Sequence, residues 1–270
     1  MAVDIERRYL DGRFGQMHLY MAGPETDTGR PPLVCFHMSP YAAVIYESFL
    51  AEMGKDRLAI AVDSPGFGNS DPTPQPPVIQ DFGAAMDDVI TTLGLETVDV
   101  MGFHTGSKVS LELARRRPDA VRRAVLVSIA YWTPEERAHR EVIIKPKEID
   151  EAGSHLAEAW QGSVRWSMPE RTPQMIGNVF YAQAINPAIS HWGHQAAYQY
   201  DVEATMAEIS QPILVLNPED DLWEQTPRIK PLLTQEGSRF LDLPGWAHGF
   251  LDIKTAETAE IVRGFLDGEG

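Results

Sequence analysis

The stretch Gly102-Phe103-His104-Thr105-Gly106 places one reactive side chain between two glycines, each two residues from it. An apolar run over 98–103 leads in, and a helical pattern over 107–117 leads out and stops at Pro118. A strand that passes so abruptly into a helix brings backbone against backbone at the flanking positions. A Cβ would clash there, and the apex residue stands clear. Here the apex is His104. A neutral imidazole can attack an activated acyl group without prior deprotonation, or it can act as acid or base in proton transfer. Thr105 and Ser107 lie off the apex and supply no substitute hydroxyl.

The elements that must hold this turn are legible around it. Residues 5–10 and 16–21 alternate, with Asp11-Gly12 as a turn signal, and predict an antiparallel hairpin. Runs at 32–37, 58–62, 98–103, 121–129, 212–217 and 239–243 are short and apolar, as strands buried on both faces are. Helical patterns occupy 41–53, 81–93, 107–117, 227–233 and 256–266. Strands alternating with helices after a hairpin predict an α/β fold built on a mainly parallel sheet. Between 131 and 210 the alternation gives way to a helical stretch rich in aromatics, Trp160 and Trp166 among them. The chain thus divides into a core domain, 1–130 and 211–270, and a helical insertion, 131–210. The insertion is expected to form a lid over the strand C-termini, where open α/β sheets bind ligands.

Four motifs in order then carry a resemblance. His37-Met38-Ser39-Pro40 resembles an H-G-x-P loop, and Asp63-Ser64-Pro65-Gly66-Phe67-Gly68-Asn69-Ser70 matches D-x-x-G-x-G-x-S. The G-x-H-x-G turn follows, and then Leu216-Asn217-Pro218-Glu219-Asp220 with a late Trp246-Ala247-His248. In this the chain resembles the α/β-hydrolase fold family over nearly its whole length, least in the insertion. The resemblance implies an eight-stranded, mostly parallel sheet flanked by helices. It makes His248 the general base and Asp220 the carboxylate that orients it, with the adjacent Asp221 as the alternative acid. It makes the backbone N–H groups of Thr105 and Ser39 the oxyanion donors. His37, Met38, Trp160, Trp166 and Trp223 are candidate walls of the substrate pocket. Two positions depart from the family pattern: Met38 replaces a glycine, and His104 replaces the usual Ser, Asp or Cys.

The expected activity is cofactor-independent hydrolysis of a small, fairly apolar ester or related acyl compound by His104, Asp220 and His248. His104 would be either nucleophile or acid–base group, since two imidazoles a few Å apart titrate as a coupled pair. A lyase or C–C cleaving enzyme and a catalytically inactive ligand-binding protein are the alternatives. His104, His248 and Asp220 would also make a metal donor set, but no metal is expected, because the aspartate should hold the far nitrogen of His248. His191 and His194 read as polar surface.

Composition narrows the partners. With 39 acidic and 23 basic residues the net charge is -16, which argues against nucleic acid and against an anionic membrane. The run Arg115-Arg116-Arg117 falls at a helix C-terminus, where cations complement the dipole. Cys35 is alone, so no internal disulfide forms. No apolar signal core opens the chain and no run reaches the roughly 20 residues of a bilayer span, so a cytoplasmic location is the default. Neither a dinucleotide fingerprint nor a phosphate loop occurs. A small-molecule substrate is expected, with self-association into a homodimer left open.

Overall fold

The computed structural model describes residues 3–26 and 28–268. Eight strands form one sheet: β1 (Glu6–Gly12), β2 (Gly15–Ala22), β3 (Leu33–Phe36), β4 (Ala59–Val62), β5 (Val98–Phe103), β6 (Val121–Val127), β7 (Ile213–Pro218) and β8 (Arg239–Leu243). Their order is β1-β2-β4-β3-β5-β6-β7-β8. The hairpin β1–β2 and the β2–β4 pair are antiparallel, and every other pair is parallel.

Short, uninterrupted apolar runs make these strands because both faces are covered. Along β3, Val34 and Phe36 enter one apolar cluster while Leu33 and Cys35 enter the other. β4 divides in the same way, Ile60 and Val62 on one side and Ala59 and Ala61 on the other. Helices α1 (Glu47–Met53), α2 (Ile79–Thr92) and α3 (Thr105–Arg116) follow β3, β4 and β5. Five α-helices among the described residues separate β6 from β7, α4 (Pro134–Ile143), α5 (Ser154–Arg165), α6 (Pro173–Phe180), α7 (Trp192–Gln199) and α8 (Val202–Glu208), with two short 3₁₀ turns between α6 and α7. α9 (Phe250–Ile253) and α10 (Thr255–Leu266) close the chain. None of the helices among the described residues is long and apolar enough to cross a membrane.

Three local expectations shift. The hairpin turns at Arg13 and Phe14 rather than at Asp11-Gly12, with Gly12 opposite Gly15. Arg13 anchors that turn to Asp88 of α2 through its backbone N–H (3.0 Å) and its guanidinium (2.7 and 2.8 Å). The helix expected over 41–53 starts as a 3₁₀ turn, Ala43–Tyr46, whose first N–H donates to Asp63 Oδ1 at 2.7 Å. The pattern at 227–233 forms a 3₁₀ helix, Thr226–Leu232, since Pro231 has no N–H to donate to an α-helical ladder.

Asp63 organises the loop after β4. Besides Ala43, its Oδ2 accepts from Asn69 N–H at 2.9 Å and lies 2.8 Å from His18 Nδ1, with Asp63, Ala43 and His18 buried and Asn69 exposed. Truncation at Asp63 strands these donors, each costing about 1–3 kcal/mol. Asp63→Ala is therefore expected to destabilise the fold by about 3 kcal/mol or more, read as a lower urea midpoint at unchanged slope.

Candidate active site

The site grows from the end of β5. Gly106 sits so close to β3 that a Cβ would lie 1.9 Å from Phe36 O, and a Cβ on Gly102 would lie 2.0 Å from Gly106 O. His104 takes φ 50°, ψ -108°, a conformation L-residues rarely adopt and one that costs about 1–3 kcal/mol. The turn is held by His104 N–H to Val127 O (3.0 Å) and by Ser107 Oγ, which lies 2.8 Å from both Gly102 O and Val127 O. Phe103 supports it from below, edge-on to the rings of His104 and His248.

The partner of His104 is Asp220. Its Oδ2 lies 2.9 Å from His104 Nε2 and accepts the Ser128 hydroxyl at 2.6 Å, while Oδ1 accepts Leu222 N–H at 2.8 Å. This corrects the expected pairing, in which Asp220 orients His248. Asp220 Oδ2 is 3.8 Å from His248 Nε2, and the carboxylate beside that ring is Asp221, with Oδ1 at 3.1 Å. The reason is the tight turn after β7, where Ser128 of the neighbouring strand end and Leu222 N–H draw the Asp220 carboxylate under the apex. The His248 Nε2–Asp221 contact has ion-pair distance but is out of line for a hydrogen bond, and that nitrogen is buried without a hydrogen-bond partner.

His248 itself is fixed through its backbone. Its N–H donates to Trp166 O, and its carbonyl accepts from Met168 N–H, both at 2.9 Å. The helical segment between β6 and β7 is thereby stitched to the loop that carries a candidate catalytic residue. The rings of His104 and His248 stand 5.2 Å apart.

Burial opposes the charge on His104, but the carboxylates of Asp220 and Asp221 outweigh it and hold its pKa above the ordinary histidine value. Burial likewise pushes Asp220 and Asp221 up, and His104 and His248 more than reverse it, leaving both below the usual carboxylate range. The two aspartates thus stay anionic, and His104 is a strengthened base.

His104, His248, Asp221, Met38, Ser39, Tyr41 and Trp166 line an open cavity of about 470 Å³, to whose wall α5 and the stretch before α7 also contribute. His191 and His194, read from sequence as surface, are also in its wall. Burial lowers the His194 pKa to about 4, so its ring is neutral. Neither the Ser39 nor the Thr105 backbone N–H has a hydrogen-bond acceptor among the described residues. Three expected wall residues lie elsewhere. His37 is buried behind the loop, between Met38 O and Ser64 N–H. Trp160 packs edge-on against Phe180. Trp223 faces a separate outer hollow beside Ala247. Ser128, Lys108 and His194 were missed by sequence reasoning; the one available signal was a serine inside the apolar run 121–129.

One donor atom each from His104, Asp220, Asp221 and His248 lies within 4.8 Å of the others, so these four could hold a divalent cation. The two shorter imidazole–carboxylate distances, 2.9 and 3.1 Å, fall below the spacing of about 3.4 Å between ligands of a tetrahedral site. The shorter is already a hydrogen bond, so a proton satisfies that edge without an ion.

A family model described as alpha/beta hydrolase fold matches residues 31–251. The carboxylesterase YbfK of Bacillus subtilis is 30% identical over 129 residues, covering 47% of this chain and 43% of that protein. The chain thus spans less than half the length of this curated relative. The putative carbamate hydrolase RutD of Caulobacter sp. is 23% identical, covering 96% of this chain and 97% of its own. Among solved structures, the enol-lactonase from Burkholderia xenovorans superposes with a TM-score of 0.80 at 19% identity, over 96% of this chain and 100% of its own. Both curated relatives are named as hydrolases, and the eight-stranded sheet with its strand–turn–helix at His104 agrees with the match: the chain belongs to the α/β-hydrolase fold family.

Proposed function

We propose that the chain is a hydrolase of a small ester or lactone and that it activates water directly, without a covalent elbow intermediate. The observation that carries this reading is the 2.9 Å contact between His104 Nε2 and Asp220. With Nε2–H donating to Asp220, the lone pair of the neutral ring is on Nδ1, and the carboxylate stabilises the imidazolium formed when Nδ1 takes a proton from water. The hydroxide adds to the substrate carbonyl, and the Ser39 and Thr105 N–H groups receive the oxyanion. Collapse expels the alkoxide, which takes its proton from the imidazolium. His248, 5.2 Å away ring to ring, is the second group able to carry that proton. The helical segment over the cavity acts as a lid, and no cofactor enters the scheme.

Esters sharing one acyl group but differing in leaving group test the scheme. Direct attack by water gives rates that follow the leaving group, with no burst. A common kcat with a burst of alcohol release would instead show an acyl-imidazole on His104. Chelator-treated protein is expected to keep its activity within about two-fold, since proton transfer alone is assigned to the cluster. If wild type and His248→Ala are equally inert over a wide ester and lactone panel, the enzyme reading fails and a binding protein remains.

A further inference from the structure

Lys108 is a buried amine that the proposed hydrolysis does not use. It lies four residues past His104 on α3 and is 3% exposed. Its Nζ donates to Ala197 O at 2.5 Å and stands 6.0 Å from the centre of the Tyr198 ring. Among the described residues no carboxylate pairs with it, and the neighbouring charges that act on it are those of Arg137 and Arg140. Both arginines are engaged elsewhere, Arg137 with Asp201 and Arg140 with the Tyr198 hydroxyl and the face of Trp132. Burial, and then the two arginines, press the Lys108 pKa down to about 7. An ammonium taken from water without a counter-ion is costly, so this amine sheds its proton readily when alone, and an anion beside it would hold the charged form.

The amine borders a space. Lys108, His104, Thr105, Ser128, Trp132 and His194 bound a second cavity of about 60 Å³ that shares its His104 wall with the larger one. Asp221 also borders it, with its Oδ1 3.1 Å from His248 Nε2 and 3.8 Å from His104 Nε2. The neutral His194 adds no charge. A space of about 60 Å³ suits a group as small as a carboxylate.

We propose that this small cavity is a subsite for a carboxylate of the substrate, held by Lys108 while the carbonyl to be attacked lies over His104. The substrate class is then a short acyl compound bearing a free carboxylate near its ester or lactone bond, which amends the apolar character expected from sequence. The ester part of this inference rests on the proposed hydrolysis; the binding part does not.

Two measurements separate them. Calorimetric titration with propionate, against propionamide as the uncharged match, is expected to show binding of the acid alone. Binding is lost in Lys108→Met and retained within about ten-fold in Lys108→Arg. In turnover, methyl hydrogen succinate is expected to exceed methyl butyrate in kcat/KM by about 100-fold or more, mostly through KM. That ratio falls toward one in Lys108→Met. Propionate binding without hydrolysis of any ester would overturn the hydrolase reading and leave the subsite standing. Ester hydrolysis indifferent to the carboxylate, with no propionate binding, would overturn the subsite and leave the hydrolase. Retention of acid preference in a folded Lys108→Met protein would also overturn it.

Discussion

Asp220→Asn is expected to lower kcat by about 10²–10⁴-fold and to move the acid limb of the pH–rate profile to lower pH. Both effects follow from one contact. Asp220 Oδ2 accepts from Ser128 and from His104, so an amide there keeps the shape but removes the charge that stabilises the imidazolium. In the wild type the carboxylates hold the His104 pKa above 6.5 against the pull of burial. The ring must be neutral to take a proton from water, so activity climbs only as pH rises through that raised value. Without the Asp220 charge, burial acts less opposed, the pKa falls, and the residual activity climbs at lower pH. His104→Ala should cost at least as much in kcat while removing that limb altogether. A limb that stays in place in Asp220→Asn would show that another group is the titrating base.

The same pair makes stability depend on pH. The His104 contribution is complete below its unfolded pKa and is lost as pH rises through its raised folded value. The Asp220 contribution is present above its unfolded pKa and is lost as pH falls through its depressed folded value. The thermal advantage of wild type over Asp220→Asn is therefore largest between those limits and shrinks on either side.

Gly106→Ala is expected to prevent folding or to cost more than about 4 kcal/mol. The added carbon would lie 1.9 Å from Phe36 O and 2.9 Å from His37 O, so only movement of β3 against α3 could relieve it. Movement of that kind breaks the sheet at its centre, because β3 pairs with both β4 and β5. Gly264→Ala in α10 is the control. A Cβ there meets nothing within 4 Å, and a helix-interior alanine should stabilise by about 0.5–1 kcal/mol. Urea unfolding of the two variants, with circular dichroism for any that fails to fold, measures the contrast. Mild loss in Gly106→Ala would mean that the elbow is not packed against β3 as described.

What could be read from the chain alone follows from local physics. Runs such as Leu33-Val34-Cys35-Phe36 and Ala59-Ile60-Ala61-Val62 are apolar on every residue because both faces of a central parallel strand are covered. The glycines at 102 and 106 were legible because a strand–turn–helix this tight excludes side chains at those positions wherever it occurs. His104 was named from type and spacing, and Asp220, Asp221 and His248 from the family resemblance; the fold brings all four within one cluster.

Their pairing was not legible. Asp220 and Asp221 are adjacent, and which of them turns toward which imidazole depends on Ser128, which is 92 positions away in sequence from Asp220 and donates to it from the end of β6. Aromatic residues between 131 and 210 gave no sign of which would face down, since Trp166 lines the cavity while Trp160 packs on Phe180. Lys108 drew no reading in the sequence, where it falls inside the helical pattern over 107–117. It becomes a buried amine without a carboxylate partner only because α7 lays Ala197 and Tyr198 over it. Backbone sterics and strand burial act over a few residues and leave their mark on local sequence. The partner of a charge is chosen by elements that meet only in the folded chain.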